Sequence, residues 1–207
     1  MSDLGAQGLN LNSRGGSGAG PDTNAGVKKS SAREIVLVLH NIRSTYNVGA
    51  ILRTAEGFGV KRVVLSGYTP RVHDPNLLPH LRDKLDREIH KTALGAEELV
   101  DIYSSGDIIS DLRKWQKQGW QILGLENNIQ KSNLIMLNDP GLKERLSDRV
   151  ILVLGEEVNG IDYSLHDIID LFIEIPMCGQ KESFNVSVAA GVAVWGIMTR
   201  EQDNKNA

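Results

Sequence analysis

Two loops near the C-terminus hold residues that could do chemistry. VLGEEVNG, Val153 to Gly160, closes one apolar run, and IPMCGQKESFNVSVAAG, Ile175 to Gly191, closes the next and opens a helical pattern. Gly155, Gly160 and Gly179 present no Cβ, so backbone N–H and C=O groups in these loops can approach a bound small molecule. Side by side, the loops make a pocket, with Glu157 as its carboxylate and Ser183 and Asn185 as short polar groups at a helix start. A third segment, NIRSTYNVGAILRTAEGFGVKRVVLSG from Asn41 to Gly67, follows the apolar run EIVLVLH and sets two asparagines and two arginines within thirteen positions. The guanidinium groups of Arg43 and Arg53 suit phosphate oxygens, which they can grip through two parallel N–H bonds.

Taken in this order, the three segments resemble the three motifs of the SPOUT superfamily of methyltransferases, in its SpoU or TrmH-like branch. The resemblance runs from about Glu34 to Arg200. It implies transfer of a methyl group from S-adenosylmethionine to the ribose 2′-hydroxyl of a nucleotide in tRNA or rRNA. On the matching positions it places Arg53, Asn47, Glu157, Ser183 and Asn185 in catalysis. Gly155, Ile175 and Phe184 fall at cofactor contacts, with Leu154 and Met177 as apolar walls beside the adenine, while Arg43 would meet a substrate phosphate. Phe184 departs from the leucine usual in the third motif, which puts a larger ring against the adenine.

A 2′-hydroxyl is a poor nucleophile, so it needs alignment, a fixed ribose and help with its proton. The family's usual proposal makes Arg53 the general base. A guanidinium with a pKa above about 12 gives up its proton with difficulty, which favours Arg53 as a phosphate clamp that stabilises developing charge. Asn47 can bond the catalytic loop or the ribose, and it can equally cap the first helix. Glu157 can orient Arg53 or accept a proton through it, with Glu156 as a solvated neighbour. Two rivals stay open: a base-modifying methyltransferase of the same superfamily, and an RNA-binding module of the same fold that has lost turnover.

The chain has 207 residues, 41% of them apolar, enough for one good core. Residues 1 to 30 are rich in Gly, Ser and Asn without apolar periodicity and read as a disordered tail, leaving one methyltransferase domain over 31 to 207. No apolar stretch has membrane-spanning length, no basic region precedes an apolar run at the N-terminus, and Cys178 is alone. These features predict a cytoplasmic protein without a membrane partner. The five histidines lack metal-ligand spacing, so no metal is expected. Net charge is −3, yet Lys28 to Lys91 holds twelve Lys and Arg against six Asp and Glu. That basic half suits an RNA partner, although RVHDPNLLPHLRDKLDREIHK within it also reads as a solvated helix face.

Apolar runs Ile35 to Leu39, Arg62 to Leu65, Gln121 to Leu125, Val150 to Leu154 and Leu171 to Ile175 read as buried strands. Helical patterns start near Asn47, over Asp107 to Lys117, and near Asn185, while Asn127 to Pro140 reads as an irregular connection. Strands alternating with helices predict an α/β fold, a mostly parallel sheet with helices on both faces. The resemblance adds a C-terminal trefoil knot and a homodimer. The last helix agrees with the dimer, because Val186, Val188, Val192, Val194, Trp195, Ile197 and Met198 spread around more of it than one core contact needs.

Overall fold

The computed structural model of the protein describes residues 33–198, so the segment read as a disordered tail lies outside the described residues. In chain order the elements are β1 (Glu34–His40), α1 (Thr45–Gly57), β2 (Arg62–Ser66), α2 (Pro79–Ala93), β3 (Ile102–Ser104), α3 (Ile108–Lys117), β4 (Gln121–Leu125), β5 (Leu134–Met136), α4 (Leu142–Arg145), β6 (Arg149–Leu154), β7 (Leu171–Glu174) and α5 (Val186–Met198). The strands form one sheet in the order β3-β2-β1-β6-β4-β7-β5, with every pairing parallel.

Parallel strands need crossovers, and here the crossover helices cover both faces. Along β1, Ile35, Leu37 and Leu39 pack with α1, α2 and α5, while Val36 and Val38 pack with α3 and the segment around Leu165. A strand covered on both sides reads as a continuous apolar run, which is why the five central strands were visible in the sequence. Each such side chain contributes about 1.5–3 kcal/mol through burial. Because all strands run the same way, their C-terminal ends lie along one edge of the sheet, where ligands of open α/β folds bind.

Two strands were not foreseen. The connection Asn127 to Pro140 contains β5, which pairs with β7, and β3 pairs with β2 at the opposite edge. Both have three residues and only partial burial, too short for a buried-strand pattern to stand out. The start of α1 also differs from expectation. Ser44, with extended backbone angles, is its N-cap, and its Oγ accepts the N–H of Asn47 at 3.3 Å. Asn47 therefore sits inside the first turn with its side chain free for other work.

In α2 only Ile89 and Ala93 are buried, so its charged residues do form a solvated face. One contact ties the preceding loop to this helix. His73, in the left-handed region at φ 53, has Nδ1 2.9 Å from Asp86 and Nε2 2.9 Å from Glu98. Hydrogen bonds to Glu98 and Asp86 hold the imidazole pKa above its usual value. A raised folded-state pKa gives stability that is complete below the unfolded value near 6.5 and is lost as pH rises through the folded value. His73→Asn keeps the left-handed backbone that asparagine tolerates and removes the charge. The melting-temperature gap between wild type and this variant should therefore be wider at acidic than at alkaline pH, and a gap independent of pH would contradict the ion pair.

α5 buries Ala190, Ala193, Val194 and Ile197. Its opposite stripe stays uncovered: Val188 is 50%, Val192 40% and Trp195 61% exposed, with Phe58 of α1 6.1 Å from Trp195. The helix is thus not fully buried within this chain. Among the described residues no helix is long and apolar enough to cross a membrane.

Candidate active site

The loops after β1, β4, β6 and β7 converge at the C-terminal edge of the sheet. After β6 the chain folds tightly on itself, with Glu156 and Gly160 exchanging backbone hydrogen bonds of 3.0 and 3.1 Å. A Cβ on Gly155 would stand 2.2 Å from the carbonyl carbon and oxygen of Gly160, so only glycine allows this closure. Gly160 itself has φ +72, and a Cβ there would lie 2.0 Å from the Glu126 carboxylate. Glu126, just past β4, accepts the N–H of Ile161 at 2.7 Å and of Asn127 at 3.2 Å. Burial raises its pKa, partly offset by those two amides. Asn127 then donates to the carbonyls of Ile175 at 3.0 Å and Glu182 at 3.3 Å, binding the β4 loop to the one after β7.

One chain of side-chain hydrogen bonds joins all three motifs. Asn47 Nδ2 donates to Glu157 Oε1 at 2.9 Å, and Asn185 Nδ2 donates to Asn47 Oδ1 at 3.1 Å. Asn185 does cap α5, accepting the N–H of Ser187 at 2.9 Å, so the cap and the bridge coexist. Glu157 further accepts the backbone N–H of Arg43 at 3.3 Å and of Ser44 at 3.4 Å. Its burial opposes ionisation, but the bonds from Asn47 and these amides outweigh that and lower its pKa. Glu157 is therefore an acceptor held ionised.

The β1 end is similarly braced. Asn41 Nδ2 lies 3.2 Å from His40 Nε2, which must then accept, so Nδ1–H donates to Ser66 Oγ at 2.9 Å. Burial lowers the His40 pKa, which keeps the ring neutral and this arrangement intact.

Beside the Glu157–Asn47–Asn185 chain lies a cleft of about 180 Å³. Leu154, Gly155, Ile175 and Phe184 line it, as expected, together with Glu157, Ser183 and Asn185. Met177, half-buried in the loop after β7, is not among the residues that line it. Glu126 and Asn127 also line it and were missed by sequence reasoning. Their position directly after an apolar strand was the available signal. A second recess of about 310 Å³ shares Glu126, Asn127, Val158, Gly160 and Ser183 with the cleft.

The two arginines differ. Arg53 is exposed on α1, outside the cleft, and does not meet Glu157, contrary to the suggestion that this carboxylate orients it. Arg43 is engaged: its guanidinium donates to Glu156 at 3.2 Å and to the Tyr68 hydroxyl at 3.4 Å. Glu156 is consequently no mere solvated neighbour. Its side chain is only 9% exposed, and Tyr68 and Asn159 also donate to it. Among the described residues no cluster of His, Cys, Asp and Glu could hold a metal ion.

A parallel sheet with glycine loops and this hydrogen-bonded triad at one edge defines an α/β domain built around a ligand cleft. The SpoU rRNA Methylase family matches residues 34–195, and the chain belongs to that family. It is similar to the 23S rRNA (guanosine-2′-O-)-methyltransferase RlmB of Xylella fastidiosa strain 9a5c, at 31% identity over 82% of this chain and 60% of that protein. The RlmB protein of Pseudomonas aeruginosa is 27% identical over 83% of this chain and 61% of its own length. The chain thus spans about three fifths of the curated relatives it matches. Among solved structures, a TrmH-family protein from Porphyromonas gingivalis superposes with a TM-score of 0.63 at 25% identity, covering 80% of this chain and 59% of that one. An AdoMet-bound rRNA methyltransferase from Sinorhizobium meliloti gives 0.63 at 21% identity, over 80% and 56%.

Proposed function

We propose that the protein transfers a methyl group from S-adenosylmethionine to the ribose 2′-hydroxyl of a nucleotide in RNA, tRNA or rRNA. The observation that carries this reading is the Glu157–Asn47–Asn185 chain beside the cleft, because it joins all three motifs of the family in one arrangement. The activity for which the relatives are named, guanosine 2′-O-methylation of 23S rRNA, points the same way.

The cleft residues fit the donor. Leu154, Ile175 and Phe184 offer apolar surface to a flat purine, and the two joined recesses together approach the few hundred Å³ of a typical small-molecule site. When bound, S-adenosylmethionine supplies an electrophilic methyl on a sulfonium. Glu157, ionised at the cleft wall, favours that positive charge and can take the hydroxyl proton as the new C–O bond forms. Asn47 keeps the carboxylate in place. Ser183 lines the cleft as a donor for ribose oxygens. Arg53, exposed on α1, serves as the phosphate clamp, and Arg43 contacts a second phosphate.

The finer architecture belongs to the same proposal: one domain over residues 31 to 207, a trefoil knot at its C-terminus, and a homodimer in the cytoplasm. The exposed surface of Val188 and Val192 supports the dimer, since a partner helix would remove it from water.

The test is the position of the methyl group. Alkaline cleavage needs a free 2′-hydroxyl to attack the neighbouring phosphate, so methylation there protects one linkage. RNA treated with the enzyme and labelled S-adenosylmethionine should show one missing band in its alkaline ladder, with the label in an alkali-resistant dinucleotide. An intact ladder with label in a single nucleotide would transfer the assignment to base modification, and no label in any RNA would leave the inactive binding module.

A further inference from the structure

Next to the catalytic loop runs an open groove of about 650 Å³ that shares Glu156 and Gly160 with the cofactor cleft. Two tyrosines in its wall contribute little to the core: Tyr68 is 50% exposed and Tyr163 is 80% exposed. Each ring carries a cation. Arg43 stands 5.5 Å from the centre of the Tyr68 ring, and Lys131 stands 5.6 Å from that of Tyr163.

Hydrogen bonds direct the Tyr68 ring, whereas the Tyr163 ring is placed by its turn and by a neighbouring ring. Tyr68 follows β2, its N–H donates to Asn41 Oδ1 at 3.3 Å, and its hydroxyl donates to Glu156. Tyr163 opens a short turn whose Asp162 carboxylate accepts the N–H of Ser164 at 2.8 Å, and Leu165 in that turn is fully buried. The His166 ring, 5.1 Å away, braces Tyr163 from behind. Rigid aromatic surfaces cost little entropy when a ligand stacks on them. A groove with two such surfaces, each beside a cation, matches a strand that alternates flat bases with phosphates. The same groove contains the carboxylates Glu156 and Asp162, the first already paired with Arg43.

We propose that this groove is a single-strand stacking site in which Tyr68 and Tyr163 each support an unpaired base flanking the target nucleotide, while Arg43 and Lys131 hold the adjoining phosphates. The inference rests on the RNA reading above and adds to it how the strand is held. It also explains how a ribose could reach the cleft, because a strand pinned by its neighbouring bases presents the sugar between them outside a duplex.

The experiment compares two probes on the full chain at low salt: a single-stranded RNA of about twelve nucleotides and an abasic ribose-phosphate strand of equal length. Wild type should bind the base-bearing strand about tenfold or more tightly than the abasic one. Tyr163→Ala and Tyr68→Ala should lose most of that preference, Tyr163→Phe should keep it, and Arg43→Ala should weaken both strands. S-adenosylmethionine affinity by calorimetry should be the same in all four variants, which checks that they are folded. Equal affinity of wild type for both strands, or undiminished preference in both alanine variants, overturns the stacking site. If either result appears while wild type still methylates RNA, only the stacking site falls; if wild type binds neither strand and methylates no RNA, the RNA reading falls with it.

Discussion

Arg53→Ala should lower methyl transfer by about a thousandfold or more while S-adenosylmethionine affinity and the melting temperature stay at wild-type values. The structure separates these quantities. Arg53 is exposed on α1 and outside the cleft, so its removal opens no cavity and touches no wall of the cofactor site. Surface substitutions of that kind change stability by less than about 0.5 kcal/mol. On the proposed reading the variant loses a guanidinium for the substrate phosphate and for charge developing on the attacking oxygen, and arginines that act this way are worth about 10³ to 10⁵ in rate. Arg53→Lys should recover only a small part, because an ammonium lacks the two parallel N–H bonds. Single-turnover methylation with labelled donor, run beside calorimetry, reads both halves. Turnover within about tenfold of wild type would remove Arg53 from the reaction.

How far the sequence revealed this depends on how each residue is buried. The five central strands announce themselves because apolar neighbours cover both faces, as at Leu37 and Val38. β3 and β5 stay hidden because each is only three residues long at a sheet edge, with Tyr103 and Met136 partly exposed. The same contrast holds in the site. Asn47, Glu157 and Asn185 stand in dense motifs and were found, and their hydrogen bonds to one another follow from parallel strands delivering every loop to one edge. Glu126 and Asn127 were not, because their position after an apolar strand is the sole local mark they carry; their importance comes from Gly160 and Ile175, both distant in sequence. The cap of α1 was expected at Asn47, and only the backbone angles place it at Ser44, whose side chain can accept the N–H as well.

Gly155→Ala should lower the melting temperature by roughly 5–10 °C and abolish S-adenosylmethionine binding, whereas Gly179→Ala should leave both nearly unchanged. Both glycines stand in motif loops and looked equivalent in sequence. A Cβ at Gly179 meets nothing within 4 Å, while one at Gly155 meets the carbonyl carbon and oxygen of Gly160 at 2.2 Å and the Ile161 nitrogen at 2.3 Å. Those atoms are backbone and cannot rotate aside, so the loop from Glu156 to Gly160 must shift. Such overpacking costs about 1–3 kcal/mol, and more where hydrogen bonds go with it. Here they do: the Ile161 N–H leaves Glu126, whose buried carboxyl loses a donor, and Glu157 moves off Asn47. Glu157 then no longer anchors the amides of Arg43 and Ser44, and the catalytic loop after β1 loosens as well. Thermal melting with and without the donor measures both consequences. A melting temperature for Gly155→Ala within about 1 °C of wild type would mean that the loop adapts without strain, and the close approach would then not be what demands glycine there.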